Sequence, residues 1–199
     1  MQKKIEFSKY IVPVFIKDKY YGTGFVVNDM LITANHVVKN KLQTYFEYEG
    51  KRFHVDFNKI VVDLYENRLL NNQVQDLFVC KIDIEDSNLE ISSEYDKNGL
   101  CEFFGYSSTK DDCSLSKDYM PNIVIHRNVA INSDCEKVNN CFSCKCKLKH
   151  TNSGAPLFQN GKVIGMLIRS IEHYGGSHES VFIKADYIID EIRRNLTYK

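Results

Sequence analysis

The sequence predicts an all-β protein built from two antiparallel, six-stranded-type β-barrels and finished by one C-terminal α-helix. Short runs rich in Val, Ile, Tyr and Phe recur along the chain, bounded by Asn, Asp, Gly and Lys, which is the composition of strands and their turns. Their regular spacing leaves no room for the crossover helices of a parallel sheet, so the pairing is antiparallel. Only the end breaks the pattern: Tyr187, Ile188, Ile192 and Leu196 lie at helical offsets behind Asp186 as a plausible cap.

In order, the first barrel takes strands at 10–16, 24–27, 30–33, 44–48, 52–57 and 77–82, with Asn28-Asp29 as the turn between the second and third. Within 58–75, the run Ile60-Val-Val-Asp-Leu-Tyr65 reads as a strand, whereas Glu66 to Asn72 reads as a loop. The polar segment 83–98 has few apolar anchors and serves as the connector, which divides the chain into units at 1–90 and 91–199. The second barrel takes strands at 100–106, 122–132, 142–150, 156–158, 163–168 and 181–183, and the helix covers 185–196.

A chain of 199 residues with 43% hydrophobic content buries a substantial core. Basic and acidic residues balance at 26 each, which removes any electrostatic basis for binding nucleic acid or an anionic membrane. The first ten residues carry lysines but no uninterrupted apolar run, and no stretch approaches the roughly 20 apolar residues of a membrane span. The expectation is a cytoplasmic protein.

The stretch His150-Thr-Asn-Ser-Gly-Ala-Pro-Leu-Phe158 places one small nucleophile, Ser153, in a tight, exposed turn. Asn152 tolerates unusual backbone angles, Gly154 removes a Cβ, and Pro156 fixes φ before the apolar pair. Such a turn aims a hydroxyl outward and gathers backbone N–H groups at one spot, as a developing oxyanion requires. A serine hydroxyl is a weak nucleophile and needs a histidine base that is itself oriented by a carboxylate. His36 follows Gly22-Thr-Gly-Phe-Val-Val and Thr33-Ala34, and Asp76 opens the apolar run Asp76-Leu-Phe-Val-Cys-Lys-Ile82.

These stretches, with the Gly161-Lys-Val-Ile-Gly165 run after the serine, resemble the trypsin-like (chymotrypsin-fold) serine proteases. The look is that of the bacterial intracellular and Deg-type members, and the three motifs come in that family's order over most of the chain. The resemblance implies a chymotrypsin-like pair of barrels, with His36 and Asp76 from the first and Ser153 from the second meeting in the cleft. It implies hydrolysis of peptide bonds through a covalent acyl-enzyme: Asp76 orients His36, which takes the Ser153 proton. The oxyanion would be held by the backbone N–H groups of Thr151 and Ser153. Neither cofactor nor metal is implied, and the partner is a protein or peptide substrate. The position six before the serine, Lys147, would floor the specificity pocket, with Ile168, Arg169 and Ser170 as its wall, and a basic floor disfavours cleavage after Lys or Arg.

Two departures from the family shape further expectations. Thr151 stands where glycine is usual, and its β-branch restricts the backbone needed for a preformed oxyanion hole. Substrate or a regulatory protein partner would then order that loop. Asn152 replaces the aspartate of digestive relatives, and the chain lacks their Ile-Val-Gly-Gly start, so activation by N-terminal clipping is not expected. The alternative reading is a protease-fold binding module with impaired catalysis. A third stems from the seven cysteines, of which Cys135, Cys141, Cys144 and Cys146 cluster at spacings compatible with a zinc-stabilised interaction domain. Against zinc, Phe142, Cys144, Cys146, Leu148 and His150 alternate with polar residues as one buried strand face.

Overall fold

Apolar runs of strand composition pair into two antiparallel sheets whose inner faces supply the core. The computed structural model describes residues 7–39, 41–70, 73–84, 87–108, 115–130 and 137–197. Strands β1 (Ile11–Ile16), β2 (Lys19–Val27), β3 (Met30–Thr33), β4 (Thr44–Tyr48), β5 (Lys51–His54), β6 (Ile60–Leu70) and β7 (Gln73–Lys81) form a sheet in the order β5-β4-β1-β2-β3-β7-β6. Strands β8 (Leu100–Ser108), β9 (Leu115–Ala130), β10 (Lys137–Cys144), β11 (Pro156–Gln159), β12 (Lys162–Glu172) and β13 (His178–Lys184) close into a barrel in the order β10-β13-β12-β11-β8-β9. Helix α1 (Ala185–Thr197) follows β13 directly. The first half is therefore an open, seven-stranded half-barrel, and the second is the closed six-stranded one.

Several elements differ from expectation, each for a physical reason. Strand β6 runs through Glu66 to Leu70, where a loop was expected, because the ladder resumes at Leu69↔Val74 after a register shift beyond Glu66↔Gln75. Strand β9 begins at Leu115, well before the apolar run, and pairs from Ser108↔Leu115 to Phe103↔Met120. Pro121 falls at the register shift that follows, where its missing N–H breaks no ladder bond. Positions 131–132 of that expected strand lie outside the described residues. Strand β10 stops at Cys144 and does not reach His150; a 3-10 turn covers His150–Asn152. Asp186 lies in the first turn of α1 and not before it, and its Oδ1 accepts the Tyr187 N–H at 2.7 Å.

Strand alternation sorts the core into two clusters. Val181 and Ile183 face Tyr187, Ile188 and Ile192 of α1 and join a cluster that runs into the first sheet through Phe25, Leu31 and Phe78. Their neighbour Phe182 turns the other way and fills the barrel with Phe103, Phe142, Leu157 and Leu167. At about 1.5–3 kcal/mol for each fully buried large apolar side chain, these faces set the register of every strand they contain.

Strand β2 is the seam between the halves. Its Thr23 N–H donates to the Ser153 carbonyl at 2.8 Å, and its Thr23 hydroxyl accepts the Tyr106 N–H at 3.0 Å.

Candidate active site

His36 sits on a 3-10 turn, Asn35–Val38, that leaves β3 with Asn35, Val37 and Val38 buried. The Asn35 amide anchors that turn by donating to Asp63 Oδ1 at 2.6 Å and to the Leu77 carbonyl at 3.5 Å. Asp76 precedes Leu77 on β7 and meets the histidine twice. Its Oδ2 lies 2.7 Å from His36 Nδ1, and its Oδ1 accepts the His36 backbone N–H at 3.0 Å. The carboxylate is thus held against both ring and backbone. The His36 side chain is 32% exposed and Asp76 only 16%, so the imidazole is partly open to solvent while its partner is sheltered.

Ser153 closes the His150–Asn152 turn, and its own carbonyl is held by β2. Gly154 makes that approach possible: its φ is +86°, and a Cβ there would lie 2.0 Å from the Thr23 carbonyl oxygen. The next bonds, Gly154 N–H to the Leu167 carbonyl at 2.7 Å and Leu167 N–H to the Ala155 carbonyl at 2.8 Å, seat the Ser153 turn against β12. Asn152, 1% exposed, is held on three sides. Its Oδ1 accepts the Lys149 N–H at 2.8 Å, and its amide donates to the Tyr106 carbonyl at 2.6 Å and to Asp118 Oδ2 at 3.0 Å.

The Ser153 hydroxyl donates to the His150 carbonyl at 3.0 Å, and the Ser153 N–H donates to the same oxygen at 3.4 Å. A carbonyl therefore stands in front of the Ser153 N–H, where an oxyanion would need a donor-lined space. The Thr151 hydroxyl is buried in this arrangement with no hydrogen-bond partner among the described residues.

Of the expected pocket residues, Lys147 is exposed, and the side chains turned inward beside it are the half-buried Cys146 and the buried Leu148. The basic floor expected from Lys147 is corrected accordingly, since the alternation of 146–148 carries its charge to the surface. Ile168 is buried, Arg169 exposed and Ser170 half-buried along β12. Ser180 of β13 donates to the Cys146 carbonyl at 2.9 Å and lies 3.4 Å from the Ser170 hydroxyl, tying this segment to the hairpin.

The cysteine cluster divides. Cys141 faces the core shared with α1, whereas Cys144 faces the barrel interior alongside Cys146, and Cys135 lies outside the described residues. Among the described residues, no group of three or more His, Cys, Asp or Glu side chains is placed to hold a metal ion. Burial pushes the Cys101 thiol up to about 11 and the Cys80 thiol up to about 12, and it raises Cys144 and Cys146 as well. Tyr20, Asp118 and Ser180 were not identified from the sequence. Tyr20 is the first of two consecutive tyrosines before Gly22-Thr-Gly, with no motif to mark it.

A profile of the Trypsin family matches residues 2–192. No curated protein matches the chain. Among solved structures, mouse neuropsin, a serine protease, shares the fold with a TM-score of 0.73 at 12% identity, covering 96% of this chain and 96% of its own. The scabies mite inactivated protease paralogue S-D1 aligns with a TM-score of 0.71 at 18% identity, covering 97% and 94%. The Rv3671c protease of M. tuberculosis in its inactive form aligns with a TM-score of 0.66 at 17% identity, covering 97% and 92%. At these identities the structural likeness speaks for the fold, and the profile match across nearly the whole chain shows the family. The chain belongs to the trypsin family, the trypsin-like serine proteases.

Proposed function

We propose that the chain is a serine endopeptidase in which His36, Asp76 and Ser153 serve as base, orienting carboxylate and nucleophile. The two-point contact of Asp76 with His36 is the observation that carries this reading. A carboxylate on Nδ1 keeps the proton there and leaves Nε2 free to accept. The Ser153 hydroxyl first gives up its bond to the His150 carbonyl. Its oxygen then attacks the peptide carbonyl carbon while its proton passes to His36 Nε2. The resulting oxyanion is held by the N–H groups of Ser153 and Thr151 once the His150 carbonyl has moved aside. His36 next delivers the proton to the leaving amine as the C–N bond breaks, and water releases the acyl group from Ser153 by the same proton route. Side chains and backbone of the chain suffice for every step. The free thiols among the described residues suit a reducing compartment, and we place the protein in the cytoplasm.

A second reading is favoured by the His150 carbonyl in front of Ser153, and by a fold shared with an inactivated paralogue: a protease-fold module that binds peptides without cleaving them. A fluorophosphonate probe separates the two. Labelling that is abolished in Ser153→Ala supports the endopeptidase, and absence of labelling with and without peptide or partner protein supports the binding module.

A further inference from the structure

Tyr20 opens β2, away from every motif, yet its hydroxyl lies 2.6 Å from the Thr151 carbonyl, 2.6 Å from the Tyr106 carbonyl and 3.1 Å from the Thr23 hydroxyl. A phenol has one proton to give. The Tyr106 carbonyl has a second donor in the Asn152 amide at 2.6 Å, whereas among the described residues Tyr20 is the side-chain donor that reaches the Thr151 carbonyl. The Thr23 hydroxyl accepts the Tyr106 N–H at 3.0 Å and can pass its own proton toward Tyr20. The outcome is a relay from Tyr106 N–H through Thr23 and Tyr20 to the Thr151 carbonyl, which crosses between the two halves. Desolvation raises the Tyr20 phenol well above its ordinary range, so it stays a donor.

The other bonds of the turn show what this anchor accomplishes. The Asn152 N–H donates to the Lys149 carbonyl at 3.0 Å, the Ser153 carbonyl is held by Thr23, and the Gly154 N–H is held by Leu167. Among the described residues, the peptide between His150 and Thr151 is secured only through the two bonds from Ser153 to the His150 oxygen. We infer that Tyr20 is the positioning residue of the oxyanion turn: by fixing the Thr151 carbonyl, it makes the His150–Thr151 peptide the one plane that turns. Half a rotation of that plane withdraws the His150 carbonyl from Ser153 and brings the Thr151 N–H beside the Ser153 N–H. Flanking planes stay in place, because opposite changes in ψ of residue 150 and φ of residue 151 cancel beyond them. The same rotation drives φ of Thr151 from the helical region to positive values, where a β-branched residue is strained, so the resting turn stays closed until substrate offsets that strain.

This inference rests on the endopeptidase reading, and its test separates the two. Tyr20→Phe keeps the ring, which packs edge-on against Phe15 at 6.0 Å, and deletes the donor. The expected result is a fall in kcat of about 10- to 100-fold, less than the 10²–10³ of losing an oxyanion donor outright, with KM within about twofold. Backbone amides of residues 151–153 should exchange faster with solvent, while those of β11 and β12 keep their rates. Unchanged kcat and unchanged exchange, even with a lowered Tm, would show a merely structural tyrosine and overturn the inference. If the parent chain neither cleaves peptides nor takes the fluorophosphonate, the endopeptidase reading fails by itself. The exchange comparison then still decides Tyr20: faster exchange at 151–153 upholds its positioning role, and unchanged exchange refutes it.

Discussion

Asp76→Asn tests the proposed chemistry most sharply, because the double contact of Asp76 dictates what an amide must do there. The backbone N–H of His36, 3.0 Å from Oδ1, can only donate, so it claims the single oxygen of an asparagine. The amide NH₂ then faces His36 Nδ1, which must become the acceptor, and the ring proton moves to Nε2. That tautomer cannot take a proton from Ser153. Reversing the amide would restore the ring but leave a sheltered backbone N–H against an NH₂ group, at a cost of about 1–3 kcal/mol, or roughly 5- to 150-fold in population. Loss of the carboxylate charge removes a further stabilisation of the imidazolium, about 4 kcal/mol for unit charges roughly 4 Å apart at an effective dielectric of about 20, worth about three decades. Together these amount to about four to five decades, in line with the roughly 10⁴ loss in kcat for the corresponding substitution in a serine-protease triad. Steady-state kcat on a cleavable peptide, with circular dichroism to verify the fold, measures it. A folded Asp76→Asn variant within about tenfold of the parent would refute the tautomer argument and with it the role of Asp76.

Ser153→Ala and His36→Ala should each lower kcat by up to about 10⁶ without additivity in the double variant, since members of such a unit act together; additive losses measured in the same peptide assay would argue against one shared mechanism. In the proposed mechanism His36 accepts the Ser153 proton, so kcat/KM should fall as the solution is acidified, and a profile that peaks below about pH 5 would indicate a carboxylate base instead. Thr151→Val keeps the β-branch but removes the buried, unpartnered hydroxyl, and should raise stability by about 1 kcal/mol, or about 2–4 °C in Tm; a lowered Tm in calorimetry would show that the hydroxyl has a partner in solution. Alkaline stability follows from the thiols. Unfolded cysteines ionise near 9.0, whereas burial holds Cys101 to about 11 and Cys80 to about 12, so between these values the unfolded chain binds fewer protons and stability should decline as pH rises through about 9. Denaturant titrations from pH 8 to pH 10 in reducing buffer check this, and a flat response would mean the thiols are exposed.

The sequence by itself determined what short-range chemistry can encode. Apolar runs with turn residues between them specified antiparallel strands, and the helical offsets from Tyr187 specified α1, because each pattern buries one face whatever lies opposite. That Gly154 must lack a Cβ was legible too, but what fills the space is the Thr23 carbonyl of β2, which only the fold brings there. Tertiary structure decided wherever the partner strand supplied the stabilisation. The polar start of β9 and the far end of β6 are strands because β8 and β7 lie beside them, and no composition rule sees a neighbour's free carbonyls. Lys147 belongs with what the sequence determined, since its alternation with the inward Cys146 and Leu148 is already written there. Tyr20 was invisible to the sequence, since a phenol two places before a glycine gains its meaning only when a carbonyl 131 positions away arrives at 2.6 Å. The closed turn at His150 belongs here too. The local strain of a β-branched Thr151 at positive φ already disfavours the flipped plane, and the packed surroundings of Asn152 and Ser153 then fix where the His150 carbonyl points.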